Sequence, residues 1–271
     1  MRRKLALIKM GGSVVTFKDR PLSANNAAIN GIARAISSLK EIPIILVHGG
    51  GSFGHYWSVR YGMHTRPARY DVHGISIVHQ SMIALNQIII GSMIKNGLNP
   101  YTICAMSLTN HNIPLKAKID QMYAMARTGS VPVTFGDVIH ICDGKYSILS
   151  GDVIMTFIAK ILNPSKVIFA VNTDGIYRSM KEKEKIQEVS GSKVIDAGIS
   201  GIAREQTPAD ITGGMRRKVE EALKISSTGV EVMIVNGLKP ERVIQAVQFG
   251  PENFEGTVVR ARSLGSGRLR R

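Results

Sequence analysis

The segment that decides the fold runs from residue 45 to residue 55 and reads Ile-Leu-Val-His-Gly-Gly-Gly-Ser-Phe-Gly-His. The β-branched run from Ile42 to Val47 predicts a buried strand, which leads into three consecutive glycines. Because glycines are entropically costly to order and pack poorly, a triplet indicates a main chain that approaches a polar group such as phosphate. The loop is neither a P-loop, which ends in Gly-Lys-Ser or Gly-Lys-Thr, nor a dinucleotide fingerprint. His55 follows at once and can donate a hydrogen bond to a phosphate.

Strands and helices alternate along most of the chain. Short β-branched runs predict the strands, and apolar positions at helical spacing predict the helices. This alternation predicts an α/β fold with a mostly parallel central sheet covered on both faces, where ligands collect at strand ends. Predicted strands cover residues 5–10, 42–47, 131–133, 166–171 and 230–235, and predicted helices cover 25–39, 75–96, 150–162 and 214–227.

Two stretches depart from this alternation and predict antiparallel hairpins. The first runs from Pro132 to Ser147 with a turn at Asp143-Gly144, and the second runs from Gly175 to Val194. The second has a charged tip at residues 181–185, which is typical of a solvated hairpin end.

The composition excludes several classes of protein. The chain has 271 residues with 44% hydrophobic content, which is typical of a globular protein. The apolar runs are too short to predict a bilayer-spanning segment, and Lys9 interrupts the apolar N-terminal stretch, so we expect a first strand and a cytoplasmic protein without membrane contact. Cys104 and Cys142 are too few for a disulfide framework or a zinc site, and no metal site is predicted in the protein itself.

The formal net charge of +15 is compatible with nucleic acid, a membrane surface or a small polyanion as partner. The basic residues are dispersed, without the interleaved aromatics of a single-strand binder or a recognition helix, so we expect no nucleic-acid partner. Several arginines fall in residues 260–271, which lack apolar periodicity and predict a disordered or appended tail after a domain spanning residues 1–259.

A second glycine turn follows the first predicted strand and reads Lys9-Met-Gly11-Gly12-Ser13. Two glycines allow close approach of the main chain to a ligand, and Lys9 supplies a positive charge for phosphate. An ordinary tight turn explains the glycine pair equally well.

Three later segments have the same character. Ser150-Gly151-Asp152 opens a predicted helix and places a carboxylate near the helix start. Asn172-Thr-Asp174-Gly175 follows a strand, and Thr212-Gly213-Gly214 precedes a helix that carries Lys218. Each has a simpler interpretation: Asp152 as a helix cap, Asp174-Gly175 as a plain turn and Lys218 as a solvated residue.

Together, in order and spacing, these motifs resemble the amino-acid kinase superfamily from about Leu5 to about Val259. Within it the Gly-Ser-Phe-Gly-His55 form resembles archaeal-type isopentenyl phosphate kinases and a small group that phosphorylates fosfomycin. The resemblance implies a three-layer α/β/α sandwich with an acceptor lobe at residues 1–165 and a nucleotide lobe at 166–259. It implies ATP-dependent phosphorylation of isopentenyl phosphate to isopentenyl diphosphate for isoprenoid biosynthesis by an alternative mevalonate route, with ATP and Mg²⁺ as cofactors and a homodimer as the assembly.

The resemblance also implies roles for individual residues. Lys9 and Lys218 would neutralise the transferring phosphoryl group, Asp152 would hold both lysines, and His55 would bind the acceptor phosphate. The other nucleotide- or phosphate-binding candidates are Gly11, Gly12, Ser13, Lys18, Gly51, Asp174, Gly175 and Gly213; the other acceptor-binding candidates are Gly50, Gly54, Gly151, Met82, Asn86 and Ile90.

Two alternatives stay open at this point. The first is a kinase of the same superfamily acting on fosfomycin, another phosphonate or a carboxylate. The second is a regulatory module that binds nucleotide or nucleic acid without catalysis, suggested by the high basic content. The apolar candidates Met82 and Ile90 lie at helical spacing and fit an ordinary core position as well as a ligand pocket.

Overall fold

The computed structural model describes residues 3–39, 41–109, 115–179, 184–190 and 214–260. The strands are β1 Arg3–Met10, β2 Ile44–His48, β3 Pro100–Thr102, β4 Val131–Phe135, β5 Asp137–Cys142, β6 Lys145–Leu149, β7 Pro164–Val171, β8 Ile176–Ser179, β9 Glu184–Ile186, β10 Glu188–Ser190, β11 Val232–Asn236 and β12 Thr257–Arg260. The helices are α1 Gly12–Val15, α2 Asn26–Ser37, α3 Gly51–Arg60, α4 Val72–Lys95, α5 Ala105–Thr109, α6 Leu115–Arg127, α7 Gly151–Leu162, α8 Gly214–Ser226 and α9 Pro240–Gln248, followed by a 3₁₀ turn at Gly250–Glu252.

The centre of the described chain is an eight-stranded sheet in the order β10-β12-β11-β7-β1-β2-β4-β3. Neighbouring strands run parallel except β12, which is antiparallel to β11. The first strand lies near the middle, with Lys9 paired to Val47 on one side and to Phe169 on the other. The predicted mostly parallel sheet is therefore confirmed.

Side-chain alternation along the central strands builds two cores. Leu5 and Leu7 of β1 pack on the face covered by α5, α6, α7 and α8, whereas Ala6 and Ile8 pack on the face covered by α1, α2, α4 and α9. Since successive side chains of a strand point to opposite faces, a strand apolar throughout is buried on both sides. The three-layer α/β/α arrangement is confirmed.

The two hairpins differ in part from their prediction. The pair β5–β6 turns at Asp143-Gly144 as predicted, but β4 joins the main sheet, where Phe135 pairs with His48, so the hairpin begins at Asp137 rather than at Pro132. The pair β8–β9 is antiparallel, and residues 180–183 of its predicted tip lie outside the described residues.

Both predicted boundaries, between residues 165 and 166 and between residues 259 and 260, fall within strands of the sheet. The boundary between residues 165 and 166 falls inside β7, which pairs with both β1 and β11, so the lobe assignment stays a prediction. Strand β12 ends at Arg260, whose guanidinium pairs with Glu188 and Glu231 at 2.7 Å each, so the sheet includes the first residue of the predicted tail. The remaining tail residues, 261–271, lie outside the described chain.

Helix α4 corrects the expectation that the apolar runs of this chain are all too short to span a bilayer. It spans 24 residues and is long and apolar enough, by length and composition alone, to cross a membrane. Core helices of water-soluble proteins meet the same criteria, and α4 buries Leu85, Ile89 and Met93 in the core against the sheet. Its apolar character thus has a packing explanation.

Candidate active site

The carboxyl ends of five adjacent parallel strands meet at one edge of the sheet. In spatial order these strands are β4, β2, β1, β7 and β11, and they end at Phe135, His48, Met10, Val171 and Asn236. The loops that follow them contain most of the candidate residues. In open α/β sheets, ligands bind in the crevice outside these strand ends.

The two glycine turns after β1 and β2 pack main chain against main chain. A Cβ atom on Gly12 would lie 2.4 Å from the Gly51 nitrogen, and one on Gly49 would lie 2.7 Å from the Gly12 nitrogen. Gly51 has φ +49°, and a Cβ there would lie 2.0 Å from Thr16 Oγ1. The sequence analysis explained these glycines by phosphate contact or by an ordinary tight turn, and the structure adds a further reason, because the two turns need them for contact with each other.

Helix α3 begins inside the glycine triplet. Gly50 occupies its N-cap without a side chain to satisfy the first amides, and Ser52 N donates to Thr16 Oγ1 at 2.9 Å. The positive end of the helix dipole therefore lies at the loop, which suits an anion. The amides of Ser52, Phe53 and Gly54 already have acceptors within the protein, so the amides of Gly50 and Gly51 are the ones the loop offers. His55 lies one turn further along α3 and is exposed.

Three charged side chains meet behind these turns. Asp152 Oδ1 lies 3.0 Å from Lys9 Nζ and 3.2 Å from Lys218 Nζ, and all three side chains are at least 88% buried, with exposures of 12%, 5% and 12%. Ser150 caps α7 by accepting from Val153 N, which places Asp152 in the first turn. A Cβ on Gly151 would lie 3.1 Å from Lys9 Cε, so the lysine stem passes tightly over this glycine.

Burial and mutual charge set the ionisation of this cluster. Burial, reinforced by the nearby Lys218 cation, lowers the pKa of Lys9 to about 8 against the opposing attraction of Asp152. Burial alone would raise the pKa of Asp152, but Lys218 and Lys9 outweigh it and lower that pKa to about 2. At neutral pH a single carboxylate thus holds two cations, and the cluster has excess positive charge.

A second, more open cluster lies across β7. Asp174 Oδ1 accepts from Asn236 Nδ2 and from Lys239 Nζ, each at 2.9 Å. The hydrogen bond from Asn236, followed by that from Lys239, lowers the pKa of Asp174. Gly175 has φ +134°, and a Cβ there would lie 2.6 Å from Thr257 Oγ1. Sequence reasoning named Asp174 and Gly175 but missed Asn236 and Lys239, which become adjacent only when β11 pairs with β7.

The remaining phosphate candidates are more dispersed. Gly11 lies against β7, since a Cβ there would be 2.6 Å from the Ala170 carbonyl oxygen. Ser13 Oγ donates to Asn172 Oδ1 at 3.1 Å and links the first turn to the segment after β7. Lys18 is exposed in the loop after α1. Gly213 lies outside the described residues.

The three pocket candidates on α4 lie in different surroundings. Met82 is buried against the glycine loop, where Cβ atoms on Gly50 and Gly54 would be 2.9 Å and 3.0 Å from its Sδ. Asn86 Oδ1 lies 3.3 Å from His48 Nε2, and Asn86 Nδ2 donates to Thr102 Oγ1 at 2.9 Å. Ile90 packs against the core on the α2 face. Only Met82 among the three is placed by these contacts directly at the loop.

His48 and an apolar cluster near the glycine loop were not among the candidates from the sequence. His48 is fully buried and stacks on Phe135 at 5.0 Å, and burial lowers its pKa to about 4, so it is neutral. The apolar cluster lies among α3, α4 and the β5–β6 hairpin and is separate from the two main cores. Its members are Met63, Val78 and Val138, with Trp57, Tyr61, Tyr70, Ile75, Tyr146 and Ile148 packed against them.

Comparison with known proteins agrees with this geometry. The model of the amino acid kinase family matches residues 4–236. An isopentenyl phosphate kinase of Thermoplasma acidophilum is 33% identical over 94% of this chain and 100% of its own length, and one of Methanothermobacter thermautotrophicus is 27% identical over 90% and 95%. The solved product complex of the T. acidophilum enzyme superposes with a TM-score of 0.75 at 29% identity, covering 94% of this chain and 100% of the other.

Proposed function

The chain belongs to the amino acid kinase family, and we propose that it transfers the γ-phosphoryl group of ATP to the phosphate of isopentenyl phosphate, giving isopentenyl diphosphate and ADP. The product would feed isoprenoid biosynthesis by an alternative mevalonate route. The observation that carries the proposal is the convergence of Lys9 and Lys218 on buried Asp152 beside the paired glycine turns.

The chemistry needs charge stabilisation more than a strong base. An acceptor phosphate has oxygens that are largely deprotonated at neutral pH, and one of them attacks the γ-phosphorus while the bond to the ADP oxygen breaks. The barrier comes from bringing two anions together and from charge on the moving phosphoryl group. Lys9 and Lys218 would neutralise that charge, because Asp152 balances only one of the two cations.

Main-chain amides of Gly12, Gly50 and Gly51 would bind the phosphates, whereas the Gly11 amide already donates to the Ala170 carbonyl oxygen at 2.9 Å. Exposed His55 would donate to the acceptor phosphate. The open cluster of Asp174, Asn236 and Lys239 would lie at the nucleotide. Mg²⁺ would enter with ATP: the described residues form no cluster of three or more histidine, cysteine, aspartate or glutamate side chains that holds an ion, and Mg²⁺ commonly binds through substrate phosphates. When bound, it would neutralise phosphate charge.

We propose the apolar cluster around Val78 and Val138 as the site of the isopentenyl tail, in place of Asn86 and Ile90. Trp57 follows His55 on α3, and Tyr61 caps the end of that helix. Both pack against this cluster, so an acceptor whose phosphate reaches His55 could extend its tail along α3. The polar contacts of Asn86 with His48 and Thr102 suit a structural role better than contact with a hydrocarbon.

A coupled ADP-release assay with isopentenyl phosphate, dimethylallyl phosphate, fosfomycin and N-acetylglutamate tests the proposal. We expect turnover with isopentenyl phosphate that falls by about 10²–10⁴ in kcat for Lys9→Ala and Lys218→Ala, with smaller changes in KM. Turnover confined to N-acetylglutamate would contradict the role of His55. Salt-sensitive nucleic-acid binding without any transfer would instead support the non-catalytic module.

Two further expectations belong to this proposal. A homodimer is supported by exposed apolar residues on and beside α4, namely Val72, Ile88, Ile94 and Tyr101, and light scattering of the purified protein tests it. A cytoplasmic location is also proposed, and cell fractionation tests it.

A further inference from the structure

Two polar contacts join α8 to α7, and only one of them belongs to the candidate catalytic cluster. The first is the pair of Lys218 with Asp152 at 3.2 Å. The second lies about one turn further along both helices, where Thr156 Oγ1 donates to Glu221 Oε2 at 2.6 Å. The other carboxylate oxygen of Glu221 accepts from Lys224 Nζ at 2.6 Å.

The second contact is deeply buried. Glu221 is 5% exposed and Thr156 is 4% exposed. A carboxylate is rarely buried unless its oxygens are satisfied, and an unsatisfied one costs substantial free energy. Glu221 has both oxygens engaged, by a hydroxyl from α7 and by an ammonium from its own helix.

The apolar contacts between these helices fix their relative position less sharply. Val219, Ala222 and Ile225 of α8 lie in the same core as Ile158 and Leu162 of α7. Hydrophobic contact is non-directional, so a small slide or rotation of α8 changes little of that burial. A hydrogen bond at 2.6 Å tolerates no such shift.

The spacing makes the two contacts a matched pair. Lys218 and Glu221 are three residues apart on α8, and Asp152 and Thr156 are four residues apart on α7, so each pair lies on one helix face. Fixing Glu221 on Thr156 therefore fixes where Lys218 reaches α7. We propose that Thr156 and Glu221 are positioning residues that hold Lys218 at Asp152 for phosphoryl transfer, an inference that rests on the proposed kinase function.

Thr156→Val tests the inference, because valine keeps the shape of threonine and removes the hydroxyl. Misplacement of a catalytic group by about 1 Å can cost about 10²-fold in rate, so we expect kcat with isopentenyl phosphate to fall about ten- to a hundredfold, with KM changed less than about threefold. Thr156→Ser restores the hydroxyl and should restore most of kcat. Glu220→Gln, which breaks only an exposed pair with Arg216, should leave kcat unchanged and is the matched control.

A double-mutant cycle separates positioning from a purely structural role. If Thr156 acts through Lys218, then Thr156→Val should cost little further kcat in the Lys218→Ala background. Equal losses in both backgrounds, or a folded Thr156→Val protein with wild-type kcat, would overturn the inference. Should Thr156→Val fail to fold, Glu221→Gln replaces it, since the amide keeps the size of the carboxylate; wild-type kcat in that variant would equally overturn the inference.

The same assay keeps the two proposals apart. Wild-type protein that releases no ADP with isopentenyl phosphate contradicts the proposed function. Wild-type protein that turns over, with Thr156→Val and Glu220→Gln behaving alike, contradicts the positioning inference alone.

Discussion

Two lysine–aspartate clusters lie at the same edge of the sheet and differ mainly in depth. In the inner cluster, the side chains of Lys9 and Asp152 are 5% and 12% exposed, whereas in the outer cluster those of Lys239 and Asp174 are 44% and 38% exposed. The contact distances are similar, at 3.0 Å and 2.9 Å. An ion pair in water is screened and weak, while a buried pair is strong but intolerant of losing a partner. For the proposed reaction, we therefore expect the inner cluster to stabilise charge and the outer one to contribute mainly to binding.

The largest expected effect is that of Asp152→Asn. It leaves Lys9 and Lys218 buried without a counter-ion, and breaking a buried pair in this way commonly costs about 3–5 kcal/mol. We expect kcat to fall at least about a hundredfold and the free energy of unfolding to decrease, measured by ADP release and by urea denaturation. An Asp152→Asn protein with near-wild-type stability and rate would remove the distinction between the clusters.

Gly12→Ala tests the close packing of turns beside the inner cluster. Its Cβ would lie 2.4 Å from the Gly51 nitrogen, so the two turns must separate, and overpacking of this kind costs about 3 kcal/mol. The free energy of unfolding should decrease by about that amount, and activity should be lost as the loop moves. Gly91→Ala on α4 is the control, because no atom lies within 4 Å of its Cβ position and alanine favours a helix by about 1 kcal/mol.

The pH dependence of activity should report the inner cluster. With its pKa lowered to about 8, Lys9 loses its charge as pH rises through that value, well below the usual lysine range. We expect kcat/KM for the acceptor to fall about tenfold per pH unit above about 8, since that parameter reports the free enzyme. Lys9→Arg should abolish this fall in kcat/KM, because a guanidinium stays protonated. The same fall in the Lys9→Arg protein would show that another group causes it.

Asp174→Asn should have the smallest effect. The outer pair with Lys239 is solvent-exposed, so its loss should change the free energy of unfolding by less than about 1 kcal/mol. We expect KM for ATP to change a few-fold and kcat to stay near wild type in the same ADP-release assay. A fall in kcat as large as that of Asp152→Asn would show that the difference in burial between the two clusters does not correspond to a difference in their roles.

Much of this arrangement was predictable from the sequence. The alternation of strands and helices predicted the mostly parallel sheet, and the resemblance to the amino-acid kinase superfamily implied that Lys9, Asp152 and Lys218 meet, as they do. Taken singly, the local patterns around these residues also allowed a helix cap, a tight turn or a solvated lysine, so the motifs had to be considered together.

Other features depend on contacts between distant segments and left no local signal. Gly12 and Gly51 must both be glycine because the two turns lie so close together, and neither turn alone shows this in the sequence. Thr156 and Glu221 appear as ordinary helix residues until α7 and α8 pack together. The apolar cluster around Val78 and Val138 combines residues of several segments, so helical spacing on α4 alone could not indicate it.

The interlocked glycine turns bear on how this enzyme could be given a new acceptor. Positions 12, 49 and 51 have no room for any side chain. A substitution there would disrupt the main chain of the turns rather than give it a new shape. On the proposed placement of the isopentenyl tail, variation in the acceptor would arise elsewhere, among the aromatic and aliphatic residues of α3, α4 and the β5–β6 hairpin. A library of variants confined to those positions would test acceptors of different shapes without altering the glycine turns.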